Sequence, residues 1–78
     1  MKKMKLVKTQ ICLFMYDELL NKKYIVINEI KQKFDINERT LFRYINEIRC
    51  YLSNFFKGFD IVYSRHDSKY YLIRIEKK

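Results

Sequence analysis

Between Asn37 and Asn54 the chain carries one pattern that leaves it little choice of structure. Leu41, Ile45, Ile48 and Leu52 recur at intervals of four, three and four residues, with no proline or glycine among them. That spacing lines one face of an α-helix and fits no strand. Asn37 stands just before the run as a good N-cap, able to accept from a free N–H of the first turn. Glu38 follows in the first turn, where a negative charge suits the helix dipole. Ile36 before the cap and Leu41 four residues inside form a hydrophobic staple pattern that fixes how the chain enters the helix. Tyr44, Tyr51 and Phe55 are expected to widen the buried stripe. A helix over about 38–54 with one greasy side obliges the other 60 or so residues to cover it.

Its other side is polar in a particular way. Arg39, Arg43, Asn46 and Cys50 lie opposite the stripe, with Thr40 and Glu47 along one edge and Phe42 along the other. Arginine can grip a guanine edge or a phosphate with two hydrogen bonds, asparagine can pair with adenine, and an apolar group can touch a thymine methyl. Arg39, Thr40, Phe42, Arg43 and Asn46 are therefore the candidate reading residues of a duplex-binding helix. An ordinary solvated helix face carries charge as well, and the pattern alone does not separate the two.

Upstream, residues 5–21 read as a first helix. Val7, Ile11, Phe14 and Leu19, with Leu6, Leu13 and Leu20 nearby, give a wide apolar stripe, and Phe14, Met15 and Tyr16 make the helix apolar on more than one side. Core burial or a contact surface for a second subunit would each explain this. Tyr24 to Ile27 is a short β-prone run. A second helix runs from Ile27 or Asn28 to Phe34, and Asp35 and Ile36 form the turn of a helix–turn–helix. Gly58, the chain's one glycine, marks where the chain leaves the main helix and reverses. Asp60 to Ser64 and Tyr70 to Ile75 read as a β-hairpin, joined by the five polar residues Arg65 to Lys69. Arg65 and Lys69 at that tip are candidates for contact with a nucleic-acid backbone. The expected fold is thus α+β, a single domain over 1–78: three helices, a short strand after the first, and a C-terminal hairpin, preceded by a basic tail over 1–5.

The net charge of +8 comes mostly from the ends. Lys2, Lys3, Lys5, Lys8, Lys77 and Lys78 supply six positives, and residues 9–76 hold eleven basic against nine acidic residues, or +2. A Lys-, Ile-, Asn- and Tyr-rich composition can reflect a genome-wide bias, and Lys tails can serve solubility alone. The five arginines say more: Arg39, Arg43 and Arg49 fall on the main helix, Arg65 and Arg74 near the C-terminus. Clustered arginines with basic tails suit a polyanion. Lys2, Lys3 and Lys5 would add phosphate attraction that is blind to sequence.

Other classes find little support. Cys12, Cys50 and His66 are too few for a zinc site, so no metal or cofactor is expected and the cysteines read as reduced structural residues. With one histidine, no phosphate loop and no matched pair of carboxylates, the chain is not expected to be an enzyme. No membrane span or signal peptide is seen in the sequence, and the expected location is cytoplasmic.

The stretch KYIVINEIKQKFDINERTLFRYINEIR, followed by GFDIVYSRHDSKYYLIR, resembles the winged helix–turn–helix domain at the N-terminus of DeoR-type and WYL-domain bacterial transcription regulators. The resemblance runs from about Lys8 to Arg74. Its most specific pieces are Asn37-Glu38-Arg39-Thr40-Leu41 with Arg43 and Ile45 following, and Ile61 to Leu72 as the wing. It implies that Arg39, Thr40, Arg43 and the position of Phe42 face DNA and that the hairpin tip flanks it. Lys31 stands where such domains usually have alanine, Asp35 where glycine is usual and Tyr44 in place of aspartate, and the tip lacks the usual glycines. Such regulators continue into an effector-sensing domain; none is expected within these 78 residues, which leaves either a cut-out domain or a stand-alone protein controlled by its abundance or a partner. The expected function is sequence-specific binding of double-stranded DNA in transcriptional control. One domain covers one half-site, so a homodimer is the expected working form, through helix 1 or the aromatic Phe55–Phe59 corner. The alternative is a winged-helix module for protein–protein contact in a larger assembly.

Overall fold

A computed structural model describes residues 8–55 and 57–75. The chain forms α1 (Lys8–Lys22), β1 (Tyr24–Val26), α2 (Ile27–Phe34), α3 (Glu38–Asn54), β2 (Phe59–Ser64) and β3 (Lys69–Arg74). The three strands make one antiparallel sheet in the order β1-β3-β2, so the strand after the first helix pairs with the last strand of the chain. The result is a small α+β domain with three helices and a three-stranded antiparallel sheet. No helix among the described residues is long and apolar enough to cross a membrane.

A single apolar cluster joins all six elements. Leu41, Ile45, Ile48 and Leu52 of α3 are buried, as their spacing requires. They meet Ile11, Met15 and Leu19 of α1, Ile27 and Ile30 of α2, and Ile25, Ile61, Tyr70 and Leu72 from the inner face of the sheet. Alternation along the strands decides which face turns inward: in β3, Tyr70 and Leu72 are buried while Lys69, Tyr71 and Ile73 point the other way.

The stripe of α1 differs from the expected one. Its buried line is Ile11, Met15 and Leu19, with Phe14 only half-buried and Leu13 and Leu20 exposed. Val7 and Leu6 lie outside the described residues, as do Lys2, Lys3 and Lys5. A helix apolar on more than one side gives no unique inward direction, and here Met15 fills the centre of the core, as an unbranched side chain can do in an irregular gap. Phe14 instead sits edge-on to Phe34 of α2, ring centres 5.3 Å apart. Tyr44 widens the α3 stripe as expected, whereas Tyr51 and Phe55 stay exposed.

The junctions are set by backbone geometry. Lys23 takes a positive φ of 77° and its N–H bonds the Leu19 carbonyl, which ends α1, while its own carbonyl accepts from Leu72 and ties the corner to β3. The chain passes from β1 into α2 with no side-chain cap. The Ile27 N–H, an orphan of that first turn, instead donates to the Ser68 carbonyl in the hairpin connection, 3.1 Å away. Asp35 holds the left-handed conformation after α2, φ 56° and ψ 49°, the role glycine more often fills. Gly58 has φ 80°, and its carbonyl accepts from Ile75, so the chain reverses there and pairs at once.

Each strand of the hairpin begins one residue earlier than its sequence suggests. β2 begins at Phe59, β3 begins at Lys69 and ends at Arg74, and the connection is the four residues Arg65 to Ser68. Ser68, at φ 56°, supplies the left-handed residue that such a turn needs. Lys69 is therefore a strand residue, opposite Ser64 on one side and Val26 on the other.

Candidate nucleic-acid interface

The first turn of α3 is fixed before any side chain faces outward. The Asn37 side-chain oxygen accepts from the Thr40 N–H at 2.8 Å, and the Asp35 and Ile36 N–H groups both close back on the Lys31 carbonyl. The turn between α2 and α3 is thus hydrogen-bonded from both ends, and Ile36 packs on the core beside it. Lys31 lies at the margin of this turn: half-buried, its ammonium lies 3.8 Å from Glu38.

From this rigid start, Arg39 and Arg43 project from successive turns of α3. Both are exposed, and neither has an ionic or hydrogen-bonding partner among the described residues. Phe42 is 51% exposed between them. Thr40 is half-buried, with its backbone N–H already committed to Asn37. Asn46 is half-buried too and borders an open groove of about 770 Å³ with Arg49, Ser53, Phe59 and Asp60. Four of the five expected reading residues thus share the first two turns of the helix, while Asn46 turns toward β2.

Arg49, one of three arginines on the helix, is engaged within the domain. Its guanidinium donates to both Asp60 oxygens, at 3.0 and 3.4 Å, and the same carboxylate accepts from the Ile61 N–H at 2.8 Å. Partial burial pushes the Asp60 carboxyl up, but the bonds from Arg49 and Ile61 outweigh it and hold the group below its ordinary value. This pair straps the outer side of α3 to the first strand of the hairpin. Sequence alone marked Arg49 as one more charge on the helix. The available signal was Asp60, the only acidic residue between Glu47 and Asp67.

The hairpin tip carries Arg65 and His66, both exposed, with Asp67 accepting a hydrogen bond from the Tyr71 hydroxyl. Lys69 sits back from the tip, its ammonium 4.6 Å from the centre of the Tyr24 ring. The tip is held against the start of α2 through Ser68 and Ile27. The phenol of Tyr70, beside Lys69, is pushed up first by burial and then by the negative charge of Glu38. The open sheet face carries Tyr24 and Tyr71 as neighbours, ring centres 6.0 Å apart, an aromatic pair that the sequence did not reveal because nothing in it shows that β1 and β3 are adjacent. Comparison of the chain with family models, with curated proteins and with solved structures finds no match.

Proposed function

We propose that this chain is a winged helix–turn–helix domain that binds double-stranded DNA in the control of transcription. In this reading α3 enters the major groove by its N-terminal turns and the β2–β3 hairpin is the wing beside it. The observation that carries it is the contrast between the two sides of α3: four aliphatic residues buried on one, and on the other Arg39 and Arg43 exposed with no partner among the described residues. Elsewhere the domain uses its charges on itself. Arg49 binds Asp60, Lys8 lies 3.3 Å from Glu47 and Lys22 lies 2.9 Å from Glu18. Two unengaged arginines on a capped, core-anchored helix are what groove reading asks for. Arg39 and Arg43 carry base readout, Thr40, Phe42 and Asn46 support it, and Arg65, Lys69 and the Lys2, Lys3 and Lys5 tail attract phosphate.

Fluorescence anisotropy with a labelled duplex tests this. Arg39→Ala and Arg43→Ala should each weaken binding by about 1–3 kcal/mol, roughly five-fold to a hundred-fold or more. Equal affinity for wild type and the double variant would remove α3 from the interface and leave the same fold as a protein-contact module, whose function would then depend on exposed aromatic residues.

A further inference from the structure

One surface of the domain is apolar yet faces away from both the core and the arginines. On α1, Thr9, Leu13, Tyr16 and Leu20 follow one another at four, three and four residues. They form a second stripe beside the buried one, in the spacing of a helix that packs along another helix. Leu13 and Tyr16 line a groove of about 330 Å³ between α1 and α3, closed on the other side by Ile48 and Tyr51. The rings continue the patch: Tyr16 meets Tyr51 at 5.8 Å and Tyr51 meets Phe55 at 5.1 Å between centres. Leu13 is 59% exposed, Leu20 36%, Tyr51 41% and Phe55 64%. At ~200 Å² for a whole large side chain, these four leave on the order of 400 Å² of apolar surface in water.

We propose that a second copy of this chain covers this face, as a two-fold dimer with α1 packed against α1 of the partner and Tyr51 and Phe55 at its flank. The choice of a second copy rests on the duplex-binding reading above, because one domain spans one half-site and two joined domains span a palindrome. Three observations fit it. Area comes first: the four residues alone supply about half of the ~800 Å² that each partner contributes to a standard interface. Charge comes second. The rim holds Lys8 and Lys57 against Glu47 and Asp17, a balanced set that a two-fold axis can match with itself. An antiparallel pairing centred between Leu13 and Tyr16 sets Thr9 opposite Leu20 and brings Lys8 within about one helical turn of the partner's Asp17. Direction comes third. At 100° per residue, Tyr51 stands roughly 100° around α3 from the mean direction of Arg39 and Arg43. An interface at a right angle to the reading direction leaves both arginine faces free and lets both point at one duplex.

Sedimentation equilibrium of the full chain without DNA, over a concentration series, tests the proposal. Wild type should approach the dimer mass in the micromolar range. A Leu13→Asp, Phe55→Asp variant should sediment as a monomer, with at least a ten-fold loss of self-association, while its circular dichroism is unchanged, since both side chains are exposed. Val62→Asp with Ile73→Asp on the open sheet face should leave the dimer intact, and so should Arg39→Ala with Arg43→Ala. Should the Leu13, Phe55 variant lose structure, hydrogen exchange of wild type decides instead: amides of residues 12–20 should gain protection as concentration rises. A monomer at all concentrations, with exchange independent of concentration, would overturn the proposal and assign the face to another occupant. So would a dimer that survives the Leu13, Phe55 substitutions or is broken by those at Val62 and Ile73. A wild type that dimerises yet binds no duplex at low salt would count against the duplex-binding reading alone.

Discussion

Asn37 is one side chain whose loss should be felt well beyond its own contacts. It caps α3 from an extended backbone conformation, and its replacement leaves the Thr40 N–H without its acceptor at the start of α3. Asn37→Ala should cost about 1 kcal/mol, read as a lower urea midpoint with an unchanged slope. The Arg49–Asp60 pair is weaker, since both groups are substantially exposed. Removing it with Asp60→Asn should cost on the order of 0.2–1 kcal/mol. Its pH dependence has a definite sign. The Asp60 carboxyl is held low in the folded state, so its contribution is full above the ordinary carboxylate range and fades as pH falls through the lowered value. Asp60→Asn should therefore flatten the acid limb of the stability curve and leave its shape above pH ~6 unchanged. The two thiols should separate by reactivity. Burial raises the Cys12 thiol, whose S–H donates to the Tyr44 carbonyl, whereas Cys50 stands exposed on the outer side of α3. Cys50 should alkylate first at pH ~8, and mass spectrometry of the modified peptides would show the order. At this scale the cap, the left-handed Asp35 and the turn glycine were legible in the sequence, because each depends on its own residue type. The Arg49–Asp60 strap was not, since it joins residues whose adjacency is decided by the hairpin's register.

The elements divide along the same physical line. α3 was readable in its extent and its aliphatic stripe, because those residues occupy one face and its cap is local, but the exposure of Tyr51 and Phe55 was not. α1 was readable as a helix but not in its rotation, since leucines, aromatics and a methionine surround it and only the finished core selects Ile11, Met15 and Leu19. Met15→Ala should confirm that choice with a loss of roughly 2–5 kcal/mol, against little change for Leu13→Ala on the exposed side. Both strands of the hairpin could be seen, while the place of β1 beside β3 could not, because pairing across 45 or so residues leaves no local mark. That pairing is what carries the hairpin to the start of α2, through Ser68 and Ile27.

For the molecule as a whole, position of charge matters more than amount. Most of the +8 sits in terminal lysines, and the lysines and arginines between them are largely spent on neighbouring carboxylates or rings, leaving Arg39, Arg43 and Arg65 as exposed cations. Sequence supplied the identity of these residues, and the fold leaves them exposed. The most direct measurement is the salt dependence of duplex binding for wild type beside the Arg39→Ala, Arg43→Ala double variant. Binding through phosphate-rich contacts falls with salt at a slope of about −0.9 per contact on logarithmic axes. The duplex-binding reading predicts a steep line for wild type and a weaker, flatter one for the variant, whose terminal lysines are unchanged. Absence of binding at low salt, or two superimposable lines, would contradict it.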